Sequence, residues 1–344
     1  MRGVVLTGHG GPACLSWRDD LPVPEPLPGE VRVKVAAAAV NNTDINTRLA
    51  WYSKSGSAAE DATWTGRPLV FPHIQGIDAC GVIEAVGPGV PATRIGTRVL
   101  VEPCLREAGG ARRDPPWFLG SEVPGSFAEY LCVADRHAHA VTSDLSDVEL
   151  ATFPCSYSTA ENMLVRAGVR AGERVLVTGA SGGVGSAAVQ LLVARGAEAV
   201  AVSQPAKAAA LIALGAAGVA DRAADLPAQL GRDSFDVVVD LVGGPGFPVL
   251  LDLLKPGGRY VASGAVAGAE VPLDLRTLYL KDLTLHGATV LGEGVFAGLV
   301  RRIEAGDIRP LVAATHDLKD LAAAQEAFLT RGHIGKIGIR IATP

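Results

Sequence analysis

Residues 174–192, RVLVTGASGGVGSAAVQLL, restrict the fold more than any other stretch of this chain. A short apolar strand runs into a glycine-dense turn and then into a helix of small residues. That layout places a pyrophosphate on a helix N-terminus. Gly182 and Gly183 let the backbone approach phosphates without an intervening Cβ. Gly185 lets the helix pack against the strand, and exposed N–H groups with the helix dipole favour the anion. Ala180 stands where G-x-G-x-x-G has its first glycine. The turn residues Ala180, Ser181, Gly182, Gly183, Val184 and Gly185 are candidate cofactor contacts.

The same letters support a rival. Gly179 to Gly183 also fit G-x-S-x-G, the nucleophile elbow of α/β-hydrolases, with Ser181 attacking an acyl group. The acid and histidine would follow later in the chain, for example Asp240 with His286 or His316. The dinucleotide reading is preferred because Gly185 has a role in it and none in the elbow.

Hydrophobic residues make up 48% of the 344 and charged residues 19%, a globular balance that excludes a disordered chain. The net charge of −5, without a basic run, argues against nucleic acid as a partner. No apolar stretch is long enough to cross a bilayer, and the N-terminus lacks a signal-peptide pattern. Five scattered cysteines fit a reduced cytoplasm better than a disulfide framework.

The first 150 residues read as all-β, with Val- and Ile-rich runs punctuated by proline and glycine. The segment 53–67 is polar and without period, so a mobile surface loop is expected there, and 106–116 is expected to be another. From about residue 151, apolar strands alternate with helices: strands at 175–178, 198–203, 218–220, 236–240 and 258–263, helices at 183–195, 205–214 and 246–254. Fully apolar strands suit a parallel sheet covered on both faces. Turn signals at successive strand ends add Val242, Gly243, Ser263 and Gly264 as cofactor candidates, since ligands sit outside the carboxyl ends of such strands. Helices at 295–305 and 319–330 and a strand at 335–341 complete the chain.

VNNTDINTR (40–48), GIDACGVIEAVGPGV (76–90), GSFAEYLCV (125–133), STAENML (158–164), ASGGVG (180–185), LKPGGRYVASG (254–264) and GKIGIRI (335–341) together resemble the medium-chain dehydrogenase/reductases over nearly the whole length. The resemblance is greatest to their zinc-free quinone oxidoreductase and enoyl reductase branch. It implies an α/β protein: a GroES-like β domain from residues 1–150, completed by 294–344, and a doubly wound Rossmann domain over 151–293. It also implies a homodimer and adds Thr159 to the cofactor contacts.

Zinc-dependent members of the family carry Cys-His-Thr-Asp where this chain has Asn41, Asn42, Thr43 and Asp44. Their Gly-His-Glu is Gly76, Ile77 and Asp78 here. Only Cys155 keeps a ligand position, and one thiol cannot hold a catalytic zinc, so no metal is expected. Cys104 is what remains of the structural zinc lobe. His137 and His139 would share one face of a strand with no acid at ligand spacing. They and His73 are read as polar surface or loop residues.

A carboxylate for the ribose 2′-hydroxyl is expected about 20 residues after the glycines. Ser203 stands there instead, with Lys207 following. A missing carboxylate and a nearby ammonium suit a 2′-phosphate and hence NADPH, although Ser203 could equally cap the next helix. The expected reaction is NADPH-dependent reduction of a small-molecule quinone or α,β-unsaturated carbonyl. Tyr52 would donate a hydrogen bond or proton, and Asn41 would project towards nicotinamide or substrate. The 53–67 segment would shape substrate entry. Three other readings stay open: a zinc-independent alcohol or aldehyde dehydrogenase of the same fold, an NADPH-binding protein with little catalysis, and the Ser181 hydrolase.

Overall fold

The structure, a computed structural model, describes residues 1–55 and 58–341. The chain divides into two compact units, Met1–Cys155 with Pro310–Pro344, and Ser156–Arg309. The helix Val295–Ala305 therefore counts with the second unit rather than with a completed first one.

The first unit is organised by the ten-residue strand Glu30–Ala39. It pairs antiparallel with Cys80–Val86, with Tyr130–Ala134 and with the C-terminal strand Lys336–Arg340. Val31, Val33 and Val35 point into the core, while Lys34 between them faces solvent, the period-2 pattern of a half-buried strand. In the C-terminal pairing, Gly338 lies opposite Ala39 and Arg340 opposite Ala37. Two residues further along both strands, this register brings Lys336 to Asn41, and the Val40 N–H donates to the Ile337 carbonyl at 3.0 Å.

One of the two expected loops is a hairpin, and the other contains a short helix. The polar stretch 106–116 belongs to a hairpin of Cys104–Ala108 and Ala111–Phe118. Gly109 and Gly110 both have positive φ, 58° and 69°, which supplies the tight two-residue connection that polar composition alone does not reveal. In 53–67 there is a short helix, Ala58–Asp61, and the Asp61 carboxylate accepts from the backbone N–H groups of Lys54 and Ser55, each at 2.9 Å, and from the Ser53 hydroxyl. Ala62 and Thr63 are buried, and Thr65 donates through its N–H to Glu122 at 2.8 Å. Residues 56 and 57 of this segment lie outside the described residues.

The second unit is a six-stranded parallel sheet ordered Gly218–Asp221, Glu198–Ser203, Arg174–Val177, Phe235–Asp240, Leu254–Ala262, Thr284–Gly287. In chain order this is 3-2-1-4-5-6, the doubly wound arrangement whose order reverses between the first and fourth strands. The helix Gly183–Ala194 follows the first strand directly. A Cβ on Gly185 would lie 2.3 Å from the Gly179 carbonyl oxygen, so only glycine permits this helix-to-turn approach. No helix among the described residues is long and apolar enough to cross a membrane.

Candidate functional site

On the first unit, the site candidates gather at the start of the helix Asn42–Arg48. Asn41 caps that helix, and its backbone N–H donates to the Asp44 carboxylate at 2.8 Å. Its side chain is only 6% exposed. The amide Nδ2 donates to Asp78 Oδ2 at 2.7 Å and to the Ala39 carbonyl at 3.3 Å, while Oδ1 accepts from the Lys336 ammonium. Both amide protons are committed inside the protein. The expectation that Asn41 projects towards substrate is corrected accordingly: it is a strut of the interior. The reason is a pair of partners that spacing hides, Asp78 from a following loop and Lys336 from the last strand.

Asp78 is fully buried and bridges these elements. Its Oδ1 accepts the Cys155 N–H at 2.6 Å, and its Oδ2 accepts from Lys336 at 3.0 Å. Asp44 lies beside them. Burial pushes its carboxyl up to about 7 and the Asp78 charge adds to the rise, whereas the Asn41 N–H and the Lys336 ammonium oppose it.

Tyr52 follows the same helix. Its hydroxyl donates to Thr43 Oγ1 at 3.1 Å, and its ring meets Trp64 edge-on with centroids 5.8 Å apart. Trp64 in turn packs edge-on against Phe118 at 4.1 Å. Burial raises the phenol's pKa, partly offset by hydrogen bonding with Thr43, Trp64 and Asn46, so Tyr52 is a neutral donor at physiological pH.

Of the three histidines, His73 and His137 are buried and His139 is half-buried. His137 is 1% exposed and accepts, at Nε2, the N–H groups of Arg106 and Glu107 at 3.1 and 3.2 Å. Its Nδ1 faces Glu102 at 3.3 Å, and His139 Nε2 faces the same carboxylate at 3.1 Å. The acid absent from the local sequence thus comes from the residue that follows the neighbouring strand Arg98–Val101. Burial tends to raise the Glu102 pKa, but the two imidazoles outweigh it and hold the carboxyl at about 2. His73 is buried in the strand His73–Ile74, which pushes its pKa down.

On the second unit, the turn 179–183 and the ends of the neighbouring strands form the cofactor candidates. Ala180 and Gly185 are buried, Gly182 is exposed, and Ser181, Gly183, Val184, Thr159, Val242, Gly243 and Ser263 are half-buried. Ser181 Oγ accepts from Lys207 Nζ at 3.5 Å. Ser203 is buried at the end of its strand, opposite Asp221, and Gln204 rather than Ser203 occupies the cap of the next helical turn. The Asp221 carboxylate accepts the Ala223 N–H at 3.0 Å, and the Arg222 N–H reaches the Ser203 carbonyl at 3.0 Å. Burial, with the Arg222 charge, lowers the pKa of Lys207. The Lys207 ammonium thus stands at Ser181 within reach of the Arg222 charge, while the Asp221 carboxylate turns to the Ala223 N–H. Ser263 donates to the Ala288 carbonyl at 2.6 Å, and a Cβ on Gly264 would lie 2.9 Å from the Leu241 carbonyl oxygen.

Asp240 stands beneath the cofactor candidates at the end of its strand. Fully buried, it accepts from the Thr178 and Tyr260 hydroxyls and from the Val242 and Gly243 N–H groups, and so shapes the loop after its strand. This overturns the hydrolase triad: among the described residues, no histidine bonds to Asp240 or Ser181. The only available signal was an aspartate ending a strand just before Val242-Gly243.

Two family models match the chain, the alcohol dehydrogenase GroES-like domain over residues 27–143 and the zinc-binding dehydrogenase over 183–305. Quinone oxidoreductase of Lama guanicoe is 30% identical, covering 98% of this chain and 96% of its own. Acryloyl-coenzyme A reductase of Metallosphaera sedula is also 30% identical, covering 98% and 99%. Among solved structures, a candidate alcohol dehydrogenase of Sinorhizobium meliloti superposes with a TM-score of 0.93 at 45% identity, covering 99% and 97%. The cobalt- and zinc-bound thermostable alcohol dehydrogenase of Pyrobaculum aerophilum gives 0.84 at 32%, covering 99% of each chain.

The zinc-binding dehydrogenase model and the metal-bound Pyrobaculum structure raise the question of a metal, and the residues present here do not fit one. Asn41 and Ile77 stand at two expected ligand positions, and the Lys336 ammonium is bonded to both Asn41 and Asp78. A metal would have to share this space with a positive charge. Among the described residues, no group of three or more His, Cys, Asp or Glu is arranged to hold a metal ion. The second unit does fit a dinucleotide, through the Gly185 approach, the open strand ends and the Asp240-shaped loop. This chain belongs to the medium-chain dehydrogenase/reductase superfamily, in its quinone oxidoreductase branch, and is an oxidoreductase of the nicotinamide-dinucleotide-binding kind.

Proposed function

We propose that the protein is an NADPH-dependent reductase of α,β-unsaturated carbonyls or quinones that works without a metal. The observation carrying this reading is the ammonium of Lys336 at the metal-ligand positions, bonded to Asn41 and Asp78. An acceptor for this site is one whose reduction needs only a hydride, a proton and hydrogen-bond donors. In conjugate reduction the hydride goes to the β-carbon, and the resulting enolate takes a proton at the α-carbon. Bound NADPH supplies the hydride.

In this reading the turn 180–185, Thr159, Val242, Gly243, Ser263 and Gly264 hold the dinucleotide. Lys207 and Arg222, beside Ser181 and Ser203, receive the 2′-phosphate. Tyr52 meets the substrate oxygen or supplies the proton, and its contact with Thr43 keeps the hydroxyl oriented. Asn41 acts through position, by fixing the helix start that carries Thr43. The 53–67 segment brings Trp64 against Tyr52 and so shapes the substrate end.

Purified protein offered NADPH and a panel of enones, quinones and aldehydes tests the proposal. Oxidation of NADPH with enone or quinone supports it, and binding of NADPH without turnover of any acceptor favours a non-catalytic binding protein. A second reading, a metal-independent alcohol or aldehyde dehydrogenase, is favoured by the 45% identical Sinorhizobium relative. Alcohol oxidation with NADP+, exceeding enone reduction, would select it.

A further inference from the structure

We infer that Lys336 is the resident cation of this site, a positioning residue whose ammonium takes the place of the metal the fold family implies. Asp78 is 0% exposed at its side chain and Lys336 3%, so the pair is removed from solvent. Their separation is 3.0 Å. The carboxylate has its oxygens engaged by Cys155 N–H, Asn41 Nδ2 and Lys336, and only the last brings a positive charge. The ammonium in turn has Asn41 Oδ1 as a second acceptor.

A buried carboxylate of this kind demands a compensating cation. In this chain the cation arrives on the C-terminal strand through the register that sets Gly338 against Ala39. It ties that strand to the Asn41 cap, to the loop of Asp78 and to Cys155. A metal at the same place would fasten the same elements together. A buried ion pair is poor evidence for stability by itself, because removing both partners is often neutral. Removing one partner leaves an uncompensated charge and is costly. That asymmetry separates a charge-compensating role from ordinary packing.

The experiment compares thermal unfolding of the full-length wild type, Lys336→Met, and the double variant Lys336→Met/Asp78→Asn, each dialysed against EDTA, and then titrates wild type with cobalt(II) chloride. Lys336→Met should melt roughly 5–15 °C below wild type, and the double variant should regain at least about half of that loss. Wild type should take up no stoichiometric cobalt, its melting point moving by no more than about 1 °C on titration. If Lys336→Met is insoluble, a soluble and cooperatively melting double variant still supports the inference, and an insoluble double variant contradicts it. The inference is overturned by a single variant as stable as wild type, by a double variant no better than the single, or by wild type taking up about one cobalt per chain with visible d–d absorption. All readouts are thermal or spectroscopic, so they stand apart from whether enones are the substrate.

Discussion

The hydroxyl of Tyr52 donates to Thr43 Oγ1 at 3.1 Å, which ties the proposed proton donor to the helix that Asn41 caps. If Tyr52 delivers the proton, Tyr52→Phe lowers kcat roughly 10²–10⁴-fold with NADPH affinity unchanged. Thr43→Val, which keeps the shape and removes the acceptor, should give a smaller loss in kcat. An undiminished rate in Tyr52→Phe would assign protonation to water. The measurement is steady-state turnover beside NADPH binding by fluorescence.

In the proposed reading, cofactor choice rests on Lys207. Its ammonium lies 3.5 Å from Ser181 Oγ, with the Arg222 charge felt nearby. Loss of one charge-assisted contact costs about 1.5–3 kcal/mol, so Lys207→Ala should weaken NADPH binding by roughly one to two decades. NADH binding should hardly change. Equal weakening of both would make Lys207 a bystander.

Much of this was legible in the sequence, and the reasons differ by element. The strand–turn–helix at 174–192 was readable because a local pattern determines it, and Gly185 sits where its missing Cβ is needed. The hairpin from Cys104 to Phe118 was not, because its polar letters mask a turn set by Gly109 and Gly110. The substitutions at Asn41 and Ile77 were visible, but what replaces a metal was not. Lys336 is 258 residues from Asp78, and only the sheet register joins them. The pairing of Glu102 with His137 and His139 was hidden for the same reason.

Asp44 makes stability depend on pH. An unfolded aspartate titrates near ~3.9, whereas burial first of all, and then the Asp78 charge, raises native Asp44 to about 7. From about pH 4 to about 7 the unfolded chain therefore releases a proton that the native state retains, and this group's contribution falls as pH rises. Asp44→Asn should match wild type near pH 4 and become the more stable of the two towards pH 7, by up to about 4 kcal/mol if the whole shift is expressed. Denaturant unfolding of both proteins across this range checks it. A constant difference would show that Asp44 does not titrate there.

The strand Thr284–Gly287 ends the parallel sheet with one edge unpaired among the described residues, and Leu275, Tyr279 and Leu280 nearby are 63, 61 and 71% exposed. Such an edge and such side chains suit a second copy across a two-fold axis. Light scattering at micromolar concentration should give a dimer. Leu280→Asp should shift it towards monomer with the second unit still folded, and a monomeric wild type would refute the assignment.

The most direct test of the central claim is product analysis after EDTA-treated protein has turned over a simple enal such as trans-2-hexenal with NADPH. Metal-independent conjugate reduction predicts hexanal, with a deuteride from labelled NADPH at the β-carbon and no loss of rate after chelation. Allylic alcohol as the product, or activity that vanishes with EDTA and returns with zinc, would contradict it.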